Sequence, residues 1–375
     1  MARHVAILIT ALGAGGAERV IAQLCAHWAS SGREVTVIAF DAPDDPVYHP
    51  LPEGIDLVRL DCPGGGVRSV LRKAWRLRKV LQELQPDVLL SFLTKNNLVA
   101  ALAGLGMDHA WAACERNNPE RQKTHPLWNR LLRHAYKRSD AIVCQTHAVK
   151  RCFPVTLRDR MVVIHNPVAA PGFAPETGSK RITAVGRLDR QKGFDVLVSA
   201  FALVAARHDD WQLDIWGDGA ERDALEALIE RKGLTGRATL RGTSEEPGSW
   251  ITSTGIFVLS SRYEGFPNVL GEAMAAGLPI ISTSCDFGPE EMLHNDVNGL
   301  LVPPEQVGQL AGAMERLITH EDLRTRLGEA VRKQARSYAP SAILPLWDGL
   351  VDRLASSHES AGIPAIGAEG ALAKG

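Results

Sequence analysis

At 375 residues the chain exceeds what one hydrophobic core ordinarily supports, and two domains are expected. With 45% hydrophobic and 23% charged residues, and no stretch near the roughly 18 apolar residues that span a bilayer, it is neither a disordered nor a membrane-embedded chain by class. The net charge of −1 hides an asymmetry: residues 1–175 carry 22 Lys and Arg against 15 Asp and Glu, net +7, leaving 20 against 28, net −8, beyond them, and no nucleic-acid partner is expected.

The opening MARHVAILITALGAGGA has the basic residue, apolar run and small residues of a short signal peptide. It reads instead as a strand, because about seven apolar residues lead through glycines into an amphipathic helix from Ala17 to Ser31. Short β-rich runs follow at Val35–Phe40, Ile55–Leu60, Asp87–Phe92, Trp111–Cys114, Ala141–Cys144 and Met161–Ile164, with helical patterns between most of them. Such alternation predicts βαβ units and a parallel sheet covered on both faces. The segment Asn166 to Pro175 has three prolines and no periodicity, which marks a linker.

The second half restarts with a strand at Ile182–Val185, the loop GRLDRQKG and a helix from Phe194 to Ala206. Strands follow at Gln212–Trp216, Ala238–Leu240, Ile256–Leu259, Pro279–Ser282 and Gly299–Val302. The expected organisation is α/β, with two doubly wound Rossmann-like domains facing a central cleft: residues 1–165, a linker over 166–180, and residues 181–338. A last helix over 339–355 is expected, with a return to the N-terminal domain in view, and an Ala/Gly/Ser-rich disordered tail over 356–375. Cys25, Cys62, Cys114, Cys144, Cys152 and Cys285 form no C-x-x-C pair, so neither a zinc site nor a disulfide framework is indicated, and a reducing cytoplasm fits.

Three stretches carry candidate chemistry. Gly13, Gly15 and Gly16 join a strand to a helix, where glycines let backbone approach a phosphate; the spacing is not the dinucleotide fingerprint, and a plain tight turn is the other reading. Arg187 and Lys192 put cations at a strand end, suited to a diphosphate or to a solvated turn. Glu264 and Glu272 stand eight positions apart in SRYEGFPNVLGEAMAAGLP, the first in a loop and the second in the second turn of a helix. A helix N-terminus offers N–H groups to an anion, and a carboxylate just inside can accept from ribose hydroxyls. Each glutamate alone also reads as a cap or solvated face.

The order AVGRLDRQKGFDVL, IWGDGAERDALE, LSSRYEGFPNVLGEAMAAGLPIISTS, with GAGGAERV near the start, resembles the retaining glycosyltransferases of family 4, which have the two-domain GT-B fold. The resemblance covers about residues 3–350. It implies that Arg187 and Lys192 hold the donor diphosphate, Glu264 faces the donor sugar, and Glu272 binds the ribose. Gly15 and Gly16 match the N-domain phosphate contact, and backbone around Phe266, Pro267, Asn268, Val269 and Leu270 lines the site. Arg187, Lys192 and Glu264 are thus the catalytic group. It also implies retention of configuration, a UDP-sugar as preferred donor, no cofactor and no metal; no Asp-x-Asp motif is present.

One departure stands out. Where some members carry a histidine beside the sugar, this chain has Cys114-Glu115-Arg116-Asn117-Asn118-Pro119; His109 and His125 flank that loop and read as surface residues. Glu115, Arg116 and Asn117, with Ser91 to Asn97, resemble a subset making lipid-linked or surface polysaccharides, which places these three on the acceptor or phosphate side. A nucleotide-sugar epimerase of the same shape and a non-catalytic nucleotide-sugar binder are the competing readings. Finally, Arg68, Arg72, Lys73, Arg76, Arg78 and Lys79 interleave with Val70, Leu71, Trp75 and Leu77. Either Leu71 and Trp75 are the core face of an ordinary helix, or this basic half docks peripherally on an anionic membrane, the inner face of the plasma membrane.

Overall fold

The computed structural model describes residues 3–13, 15–116, 126–170, 172–244 and 246–362. The first sheet holds β1 (His4–Ile9), β2 (Glu34–Ala39), β3 (Asp56–Arg59), β4 (Val88–Phe92), β5 (Ala110–Cys114), β6 (Ala141–Cys144) and β7 (Met161–Val163), in the order β3-β2-β1-β4-β5-β6-β7. The second holds β8 (Arg181–Val185), β9 (Gln212–Trp216), β10 (Ala238–Gly242), β11 (Ile256–Leu259), β12 (Ile280–Thr283) and β13 (Leu300–Val302), in the order β10-β9-β8-β11-β12-β13. Every pairing is parallel; Val5 stands opposite both Val35 and Val88. The central strands are apolar almost throughout because both of their faces are covered, and β1, β4, β5 and β6 are buried at every residue.

Helices α1 (Gly16–Ser30), α2 (Val67–Leu84), α3 (Thr94–Ala103), α4 (Pro126–Arg138), α5 (His147–Cys152) and α6 (Val155–Arg158) belong to the first half. In the second lie α7 (Phe194–Ala205), α8 (Arg222–Arg231), α9 (Asn268–Ala276), α10 (Pro289–Met292), α11 (Val307–Thr319) and α12 (Glu321–Ala335), before α13 (Pro340–Gly362). In each sheet the chain runs outward one way and then reverses, at β1/β4 and at β8/β11. Open parallel sheets leave their ligand crevice at the carboxyl end of such a reversal. Both glycine loops leave from these points, one after β1 and one after β8.

One face of the first sheet packs against α1 and α13, the other against α2, α3 and α4. The last helix therefore completes the first sheet's core: Ile343, Leu344, Trp347, Leu350 and Val351 are buried there, and Trp347 stacks on Phe92 at 6.0 Å. Asp348 accepts from Trp28 Nε1 at 2.7 Å and meets His27 Nε2 at 2.8 Å, which fixes the helix against α1. α13 runs to Gly362, so residues 356–362, expected in a disordered tail, are helical; residues 363–375 lie outside those described. His109, expected at the surface, is buried, and burial lowers its pKa. All six cysteines are free thiols, and burial pushes Cys25, Cys114, Cys144 and Cys285 up to about 12.

Candidate active site

The β1–α1 loop brings Gly15 and Gly16 to the carboxyl end of the first sheet. Gly15 has an ordinary φ of −78°, so close approach and not conformation calls for glycine. A Cβ on Gly15 would run into the Glu18 carboxylate, and one on Gly16 would lie 2.6 Å from Asn268 Nδ2 of the facing domain. Glu18 folds back over the first turn of α1. Burial raises its pKa, against the backbone N–H groups of Glu18 and Ala17 that donate to it.

In the β8–α7 loop, residues Arg190–Lys192 form one 3-10 turn ended by Gly193, which has φ +64°. A Cβ there would also run into the Ser260 carbonyl oxygen, so glycine is required twice over. The turn throws Lys192 back across Gly186, with its stem about 3.1 Å from where a Cβ would stand, and toward the other loop. Its Nζ lies 2.7 Å from Glu264 Oε1. Ser261 Oγ donates to the same oxygen at 2.6 Å, and Gln191 Nε2 lies 3.5 Å from Oε2. Both partners are largely buried, Lys192 at 14% and Glu264 at 6% side-chain exposure, so this ion pair sits well out of bulk solvent. Arg187, by contrast, is exposed and meets Asp189 at 3.4 Å.

α9 opens at Asn268 with Pro267 at its cap, where no side chain caps the helix. Asn268 and Val269 line the cleft, and an uncapped helix start of this kind offers unpaired N–H groups to an anion. Asn268 Oδ1 accepts from Asn166 Nδ2 at 2.7 Å. One turn on, Glu272 is ion-paired with Arg19 of α1, across the gap between the sheets.

The opposite wall comes from the first domain. Arg116 is buried; its Nη1 donates to Asn166 Oδ1 at 2.8 Å, and its guanidinium lies 4.9 Å from the Phe92 ring centroid and 5.3 Å from that of Trp347. Burial lowers its pKa. Gln145 Nε2 donates to the same Asn166 oxygen at 2.9 Å. Glu115 turns inward instead, accepting from Thr94 Oγ1 and Tyr136 OH at 2.7 Å each.

Gly15, Gly16, Arg187, Lys192, Glu264, Phe266, Pro267, Asn268, Val269 and Arg116 line one cavity of about 590 Å³ between the two sheets. Three expected residues stand elsewhere. Leu270 is fully buried in the core under α9, Glu115 anchors α3 and α4, and Glu272 faces Arg19 in an adjoining crevice with Pro167 and Val168. Asn117 lies outside the described residues. Glu18, Leu93, Gln145, Asn166, Gln191 and Tyr263 join the lining without having been singled out. Asn166 falls in the segment expected as a linker, although an Asn before a Pro at a strand exit carries a local polar signal; Leu93, with φ +78°, is a strained backbone position no sequence pattern announces. Chemically, the cavity offers three cations, Arg116, Arg187 and Lys192, a helix N-terminus, and the carboxylates of Glu18 and Glu264, the latter held by Lys192.

Residues 14–170 match the family model described as Glycosyltransferase Family 4, and residues 170–334 the model described as Glycosyl transferases group 1. An exopolysaccharide phosphotransferase of Streptomyces coelicolor is 30% identical over 76% of this chain, which spans 30% of that protein. The N-acetylgalactosamine-N,N'-diacetylbacillosaminyl-diphospho-undecaprenol 4-alpha-N-acetylgalactosaminyltransferase of Campylobacter jejuni is 25% identical over 88% of this chain and 94% of its own. Among solved structures, HepE of Anabaena in complex with UDP superposes with a TM-score of 0.80 at 17% identity, over 93% of this chain and 100% of that one.

Proposed function

The chain belongs to the family 4 and group 1 glycosyltransferases and has their GT-B fold, and from that premise we propose that it moves a sugar from a nucleoside-diphosphate sugar, a UDP-sugar by preference, onto a glycan or lipid-linked acceptor in polysaccharide, lipopolysaccharide or glycolipid synthesis. The observation that carries this reading is the shared cavity: Arg187, the Lys192–Glu264 pair and the open end of α9 on one wall, Gly15–Gly16 and Arg116 on the other. In this reading the diphosphate lies against Arg187, Lys192 and the first N–H groups of α9, with the Gly15–Gly16 backbone closing over it. Negative charge builds on the leaving diphosphate as the glycosidic bond breaks, and fixed cations and dipoles already aimed there lower that barrier. No metal is needed for this.

Lys192 then has two tasks, facing the phosphate and fixing Glu264 toward the donor sugar. Retention follows by front-face attack, with a leaving phosphate oxygen taking the acceptor's proton. Glu264, tied to Lys192 and Ser261, is a poor free nucleophile. Glu272 takes the ribose hydroxyls once Arg19 releases it. The UDP complex of HepE and the diphospho-undecaprenol substrate in the Campylobacter enzyme's name support the donor and acceptor classes. Six free thiols fit a cytoplasmic site of action.

A thermal-shift series with UDP, GDP and ADP sugars, followed by turnover with and without acceptor and EDTA, tests this. Stabilisation by one nucleotide class and acceptor-dependent, EDTA-insensitive turnover are expected. Turnover of the nucleotide sugar without any acceptor would make it an epimerase, and binding without turnover a scaffold.

A further inference from the structure

We propose that α2 and α4 form a face by which this protein sits on an anionic lipid bilayer, with the first two turns of α2 inserted among the headgroups. The helix α2 has two apolar stripes, and only one is used by the core. Ser69, Ala74, Leu77 and Leu81 face the sheet. Val67, Leu71 and Trp75, spaced i, i+4, i+8, stand 76%, 59% and 57% exposed, and make up three of the eleven exposed large apolar side chains among the described residues. This settles the ambiguity of the sequence: Leu71 and Trp75 are not core.

Charge selects the partner. Residues 67–84 hold six Lys and Arg against one carboxylate, Glu83. Three of the guanidiniums pin the helix to neighbouring carbonyls: Arg72 to Pro63 at 2.7 Å, Arg76 to Asp61 at 3.0 Å, and Arg78 to Ala103 at 2.8 Å. Lys79 Nζ sits 3.9 Å from the Trp75 ring centroid, so the cation and the amphipathic ring lie together at the surface. An indole beside ammonium and guanidinium groups suits the headgroup region, where apolar insertion and attraction to anionic lipid act together. A second copy meeting this face symmetrically would set cation against cation.

Position gives the contact a use. In a parallel sheet a helix that follows a strand starts at the carboxyl edge, so Val67 and Leu71, after the edge strand β3, lie toward the same carboxyl edge of the first sheet from which the glycine loop enters the cavity. α3 packs between α2 and α4, and α4 extends the same face with exposed Arg130, Arg133, Lys137 and Leu131. A lipid-linked acceptor would enter from the membrane at the sheet edge that the cavity borders; that purpose rests on the proposed acceptor class, whereas the contact itself does not.

Cosedimentation of the full chain with phosphatidylcholine vesicles, with and without phosphatidylglycerol, is the test, with UDP-induced thermal shift measured on every variant. The wild type is expected to pellet with the anionic vesicles only, and Leu71→Gln/Trp75→Gln to bind them at least about tenfold more weakly. Arg68→Gln/Lys79→Gln should lose the dependence on lipid charge and on salt. All keep the wild-type UDP response. Equal binding by wild type and both variants overturns the proposal, as does absent vesicle binding with self-association that Trp75→Gln abolishes. Vesicle binding without any UDP response keeps the docking face and removes the donor assignment instead.

Discussion

Lys192 and Arg187 stand on one loop in different environments, and their substitutions should fail differently. Removing Lys192 leaves the Glu264 carboxylate buried with its cation gone, so Lys192→Ala is expected to cost about 3 kcal/mol of stability in addition to turnover. Arg187 is exposed, and Arg187→Ala should leave the melting temperature unchanged while slowing turnover at least about tenfold, the factor that a charge contact of about 1.4 kcal/mol in the transition state supplies. Calorimetry beside steady-state rates separates the two; an Arg187→Ala enzyme of full activity would remove it from the diphosphate. Gly193→Ala meets both a left-handed φ and the Ser260 carbonyl, and should destabilise by more than about 1 kcal/mol in a denaturant melt. These site loops were legible in the sequence because their glycines and cations are local signals. The inward turn of Glu115 was not, since Thr94 and Tyr136 reach it from separate helices, each 21 positions away.

At the scale of elements, strands were readable wherever an apolar run was bounded by polar turns, and the order of βαβ units carried the fold class. Which stripe of α2 faces the core was not readable, because Val67, Leu71 and Trp75 repeat as regularly as Leu77 and Leu81, and only the placement of the sheet distinguishes them. The return of α13 to the first domain was in view from the sequence, but the residue it packs on was not readable. Trp347 is fully buried against Phe92 in the first sheet's core, although the rest of the first domain, the linker and the whole second domain separate them in sequence. Trp347→Ala is therefore expected to lower the stability of the first domain by about 3–5 kcal/mol. Intrinsic fluorescence and proteolysis should show residues of the first sheet, not the second, opening early; loss confined to the second sheet would contradict that packing. Because the Arg116 guanidinium rests on the same two rings, the variant should also slow transfer.

Across the whole molecule, contacts between the two halves among the described residues include Arg19 with Glu272, Asn166 with Asn268, and the Glu291 carboxylate, which accepts from the His147 and Ala148 N–H groups. If Glu272 serves the ribose, nucleotide must displace Arg19. Glu272→Ala should weaken UDP binding by about 1.5–3 kcal/mol, whereas Arg19→Ala should tighten it, by up to about fivefold for a partly exposed pair. Titration calorimetry decides; weaker binding in Arg19→Ala would make Arg19 a nucleotide ligand and not its competitor. No sequence signal could have paired two residues 253 positions apart on different domains.

The central claim is that the cavity between the sheets binds a nucleoside-diphosphate sugar and transfers its sugar. Release of nucleoside diphosphate from UDP-, GDP- and ADP-sugars, measured with and without a lipid-linked glycan acceptor for the wild type and Arg187→Ala, tests it most directly. Acceptor-dependent release from one nucleotide class, unaffected by EDTA and at least about tenfold slower in Arg187→Ala, is the predicted result. No acceptor-dependent release from any of them, or release at the same rate in the variant, would contradict it.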